Sequence, residues 1–126
     1  MKMLLVLQSY VLLVKVDLMM RRSSLESIHS LVHGQAVIPL AARKQPAVET
    51  ISYAVELASV FYPKAVLCLQ NSAVTTVLLR RHGWNAELVI GAQTLPFRTH
   101  AWCEVGGDVV NDKPYMREIY AVLERC

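Results

Sequence analysis

The sequence predicts an α+β fold in which helices come first and a small antiparallel sheet comes after them. Three observations carry this reading. Residues 1–62 place apolar side chains at helical spacing. From residue 85 onward, short apolar runs are separated by turn residues, as in strands. Between them "KAVLCLQNSAVTTVLLRRHG" has a broad apolar face and a glycine, Gly83, where a helix would stop.

The first element is the apolar stretch "MKMLLVLQSYVLLVKVDLMM". Its uncharged run covers only residues 3–14, Lys15 and Asp17 interrupt the apolar residues beyond it, and no small-residue cleavage site is present. It reads as a buried or partner-facing helix rather than a signal or a membrane span. Met3, Leu4, Leu7, Val11, Val14 and Leu18 fall near one face, for which core packing is the expected use and partner docking the alternative. "SSLESIHSLVHG" comes next as a short helix with a capping serine, Glu26 in its first turn and Gly34 as its stop. "AVIPLAARKQP" has no sustained period and reads as a connector. Residues 47–62 form a further helix, with Val48, Ile51, Val55, Ala58 and Phe61 or Tyr62 on its apolar face and Pro63 as terminator. The next helix carries Cys68 early and Arg80, Arg81 and His82 late; the two arginines read as a solvated end that complements the helix dipole. "NAELVIGAQ", "FRTHAWCEV" and "DVVN" are three strands, with Gly106-Gly107 as the hairpin turn between the last two. Beyond Lys113 the pattern defines no element.

A chain of 126 residues suits one hydrophobic core. The expectation is one domain over 1–126, with a helical segment at 1–62 and a catalytic core at 63–112. Thirteen Lys and Arg against ten acids leave a net charge of +3, and the basic pairs have little aromatic interleaving, so no nucleic-acid surface is indicated. Cys68, Cys103 and Cys126 are an odd set without a C-x-x-C pair, which speaks against a disulfide framework and a zinc knuckle. A reducing, cytoplasmic setting fits.

Cys68, His100 and Asp112 are the residue types of a thiol nucleophile, its base and the group that orients the base. A free thiol, with a pKa of about 8.5, needs an imidazole to hold its proton, and the positive end of a helix favours thiolate. Strand alternation puts His100, Trp102 and Glu104 on one face and Ala101, Cys103 and Val105 on the other. Cys103 therefore points away from His100, which disfavours a metal held by Cys68, His100, Cys103 and Asp112. Each residue also has a plain structural use. A single buried cysteine is usually a small hydrophobe, His29, His33 and His82 sit among polar or capping neighbours, and Trp84 and Trp102 suit a core. Asp108 competes with Asp112 for the third role, but aspartate is common in a turn such as "GGD" for backbone reasons.

From Cys68 to Asp112 the tokens "CLQNS", "LLRRHG", "LVIG", Pro96-Phe97, "HAW" and Asn111-Asp112 occur in sequence. In their order and spacing they resemble the catalytic core of the transglutaminase-like superfamily, and within it the lasso peptide maturation proteases, in the split form without a leader-recognition domain. The resemblance implies a papain-like arrangement with Cys68 as nucleophile, His100 as general base and then acid, and Asp112 as the orienting group. It implies no cofactor and no metal. The implied reaction removes the leader from a ribosomally made precursor peptide, typically just after a threonine that is the second-last leader residue. The implied partners are that precursor, a separate leader-binding protein of winged-helix type, and a macrolactam synthetase that closes the ring. The backbone N–H of Cys68 is an expected oxyanion donor. A transglutaminase or other amide acyltransferase using the same triad, and a non-catalytic peptide-binding module of the same fold, are the alternatives.

Overall fold

A computed structural model describes residues 2–22, 25–39 and 45–126. The capping serine of "SSLESIHSLVHG", Ser23 or Ser24, and the middle of the connector at 40–44 lie outside the described residues, as does the side chain of Glu26.

Among the described residues, five helices and four strands occur in the order α1 (Lys2–Arg22), α2 (Leu25–Gly34), α3 (Val48–Val60), α4 (Cys68–Arg81), β1 (Ala86–Thr94), β2 (Phe97–Val105), β3 (Asp108–Val109), α5 (Met116–Ile119) and β4 (Ala121–Arg125). The antiparallel sheet has the order β3-β2-β1-β4. The α+β expectation is met.

α4 is the central element. Every residue from Ser72 to Leu79 is buried, because α4 packs against β1 and β2 as well as α1 and α3. α3 turns Ile51, Ala54, Val55 and Ala58 into the same core. It ends at Val60, so Phe61 is largely exposed and Tyr62 takes the inward place, donating its hydroxyl to Asp17 at 2.7 Å. Gly106 and Gly107 both have positive φ, +59° and +87°, the conformation that a two-residue hairpin turn between β2 and β3 requires.

Three expectations change. α1 is long and apolar enough to cross a membrane by length and composition, and it buries Leu5, Leu12, Leu13 and Val16. The face expected to pack in the core, with Met3, Leu4, Leu7, Val11, Val14 and Leu18, is the exposed one. α1 is apolar nearly all round, so spacing alone does not choose the buried face. Arg80 is not solvated either. Its guanidinium donates to the carbonyls of Val32 (2.6 Å), Ala86 (2.8 Å) and Gln35 (3.3 Å), and Arg81 donates to Gln35 Oε1 at 3.1 Å. Arg80 thus adds a second donor to the Val32 carbonyl at the end of α2, which also accepts the Gln35 N–H at 3.1 Å. Finally, the segment after Lys113 is structured, and its β4 lies along β1.

Candidate active site

Cys68 is the first residue of α4, and the preceding Leu67 is extended. A helix start leaves backbone N–H groups without helical partners, and these favour negative charge close by. The Cys68 side chain is exposed. The other two thiols differ from it. Cys103 is fully buried in the main core, and burial pushes its thiol up to about 12, with a contact from Thr76 acting weakly the other way. Burial and then the Glu124 charge also raise Cys126.

His100 lies on β2, and its Nε2 meets Asp112 Oδ2 at 2.6 Å. The other oxygen of Asp112 accepts the backbone N–H of Lys113 at 2.8 Å, which fixes the carboxylate. An imidazole that donates Nε2–H to a carboxylate keeps Nδ1 as its basic nitrogen. Asp108 stays in the exposed hairpin, opposite Val105. Of the two aspartates, the structure brings Asp112 to His100.

Two cavities meet at Cys68. One, of about 500 Å³, is lined largely by polar side chains, Ser52 and Glu56 of α3, Asn71, Asn111 and Asp112 among them. The other, of about 290 Å³, has Leu69, Ile90 and Leu123 on its walls together with His100. Both include Cys68 and Ala101. Cys68 therefore shares one cavity with Asp112 and the adjoining one with His100.

The helix and the strand are locked together by polar contacts. Asn111 Oδ1 accepts the Cys103 N–H at 2.8 Å, while its amide Nδ2 donates to Asn71 Oδ1 (3.0 Å) and Ser72 Oγ (2.9 Å). Ser72 in turn donates to the Ala101 carbonyl at 3.0 Å. These bonds satisfy the β2 edge where β3 no longer covers it, and they fix the first turns of α4 against the strand of His100. Sequence reasoning placed Asn111 and Ser72 in motifs without seeing this clamp. It also missed Ser52, Glu56 and Leu123, which no spacing rule connects to Cys68.

On its other side the ring of His100 is stacked. Tyr120 lies 5.3 Å away by ring centroid at 18°, and Trp102 lies 6.3 Å away at 26°. Trp102 is fully buried with Val89 and Met116, apart from the main core that holds Ala101 and Cys103, so the expected strand phase holds. Its indole N–H donates to Glu104 Oε2 at 2.8 Å. Burial alone would raise the Glu104 carboxyl, but that N–H and the guanidinium groups of Arg125 and Arg117 outweigh it and hold the carboxyl below its usual range. His29 pairs with Glu124 at 2.8 Å, and Trp84 donates its indole N–H to the Pro46 carbonyl.

The chain is similar to Microcin J25-processing protein McjB of Escherichia coli, with 45% identity over 56 residues. That stretch covers 44% of this chain and 27% of the relative, well under two thirds of its length. No solved structure matches the chain. The sequence profile of the transglutaminase-like superfamily matches residues 12–125, nearly the full described length and all of the elements around Cys68 and His100. The chain belongs to the transglutaminase-like superfamily.

Proposed function

We propose that the chain is a cysteine peptidase that cuts the leader from a ribosomally made lasso peptide precursor. The observation that carries this reading is the 2.6 Å His100–Asp112 pair and a cysteine that opens a helix, Cys68 sharing one cavity with Asp112 and the adjoining one with His100. The likeness to a processing protein for microcin J25 supports the substrate class.

In the proposed reaction Asp112 holds the Nε2–H tautomer of His100, so Nδ1 takes the proton of Cys68. The thiolate adds to the scissile carbonyl, and the oxyanion is met by the Cys68 backbone N–H. His100 then protonates the departing amine, leaving a thioester on Cys68. Water, deprotonated by His100, hydrolyses that ester and releases the leader with a free carboxylate. No cofactor or metal takes part. The precursor is made in the cytoplasm, where we place this step. A small leader-binding protein of winged-helix type presents the precursor, and a macrolactam synthetase receives the freed core. The exposed apolar face of α1 is the proposed dock for the leader-binding protein.

The test is a product assay on the full precursor by mass spectrometry. Two fragments, one ending in a free carboxylate, support the reading, and Cys68→Ala should abolish them while the fold survives, since an exposed side chain leaves no cavity when shortened. Release of ammonia with a new amide would instead assign acyl transfer, and binding without either product would assign a non-catalytic module.

A further inference from the structure

His100 is held from three directions, and one of them depends on a glycine. Gly91 of β1 is the cross-strand partner of His100, and the pairing of β1 with β4 shifts register between Ile90 and Gly91. A Cβ on Gly91 would lie 2.7 Å from Trp102 Cη2 and 2.8 Å from Tyr120 Cβ. Both neighbours are themselves fixed. Trp102 is buried and tied to Glu104. Tyr120 is anchored by its backbone N–H to the Met116 carbonyl at 2.9 Å, and the two rings sit 6.1 Å apart at 42°.

We infer that Tyr120 is a positioning residue for the proposed triad: seated in the space that Gly91 leaves, it stacks on His100 and holds the imidazole plane between Asp112 and Cys68. The physical reason is rotational. A hydrogen bond to one ring nitrogen leaves the imidazole free to swing about that bond, and each swing carries Nδ1 out of line with the thiol. A nearly parallel ring at 5.3 Å removes that freedom and also favours the imidazolium formed when Cys68 gives up its proton. The contact is through the ring face, so phenylalanine should serve and an aliphatic side chain should not.

This inference rests on the proposed triad, and the experiment separates the two. The rate at which iodoacetamide modifies Cys68 at neutral pH is tracked by peptide mapping, with kcat and KM for precursor cleavage measured in parallel. All variants are read at a temperature where circular dichroism shows them folded. Tyr120→Leu should slow both Cys68 modification and kcat roughly tenfold, the rate equivalent of one lost aromatic pair, with KM nearly unchanged. Tyr120→Phe should restore both rates. Gly91→Ala, which pushes on the same two rings, should reproduce the leucine variant and serves if that variant folds poorly. If His100→Ala slows modification while Tyr120→Leu and Gly91→Ala do not, the positioning role is overturned and the triad stands. If His100→Ala has no effect, the triad reading falls and this inference with it. A phenylalanine variant as slow as the leucine variant would also overturn stacking as the cause.

Discussion

The two ends of α4 are built on opposite terms. At its carboxyl end nearly every group is spoken for. Arg80 reaches the carbonyls of Val32, Gln35 and Ala86, its own carbonyl accepts the Ile38 N–H, and Gly83, at φ +88°, lets Trp84 N–H return to the Leu79 carbonyl. At its amino end no side chain caps the helix, and Cys68 stands exposed between two cavities. Unused donors at a helix start destabilise by about 1 kcal/mol relative to a capped one. The anchored end and the buried middle offset that loss. The difference teaches that this helix keeps its first turn open by being held everywhere else, with Asn111 gripping Asn71 and Ser72 just behind the cysteine.

Breaking the open end at its supporting carboxylate should have the largest effect. Asp112→Asn should lower kcat by about 10²- to 10⁴-fold through the wrong imidazole tautomer, with little change in thermal stability. Asp108→Asn, in the exposed hairpin, should leave kcat within about twofold of the parent. A reversed order in steady-state assays of the two variants would move the orienting role to the turn.

Breaking the closed end should act on stability instead. Arg80→Met removes the donor for three carbonyls and should cost about 3 kcal/mol in denaturant unfolding. Turnover by the fraction that remains folded should be close to normal. A specific loss of kcat at full folding would show that the two ends are coupled. The smallest effect sharpens the contrast between exposed and buried thiols. Cys103→Ala should cost about 1–2 kcal/mol and leave cleavage intact. In the parent protein, iodoacetamide at neutral pH should modify Cys68 first, because burial holds the Cys103 thiol up near about 12. Equal labelling of the two would count against an open reactive turn.

Much of this contrast was legible in the sequence, for reasons that are local. The two glycines at 106 and 107 mark the hairpin because few other residues adopt positive φ there. Period-two alternation placed Trp102 and Cys103 on opposite faces of β2. The start of α4 is not legible in "KAVLC", since Leu67 at its cap offers no capping side chain to mark it. Arg80 was misread because its partners lie in α2 and β1, and only the tertiary fold brings the Val32 carbonyl to it. β4 was missed for a different reason. All of its residues are exposed, so burial imposes no alternation on "AVLER" for the eye to find. Asn111 read as one token of a motif, while its role depends on three groups from α4 and β2 converging on one amide.

The position of Tyr120 in the sheet has a consequence for local stability. It leads directly into β4, which lies at the edge of the sheet against β1 and has every residue exposed. Segments with few buried contacts open at lower free energy than a packed core. The ring that stacks on His100 is therefore moored beside the most exposed strand of the sheet, and Cys126, whose backbone N–H and carbonyl both pair with Leu88, is the clasp that keeps that edge shut.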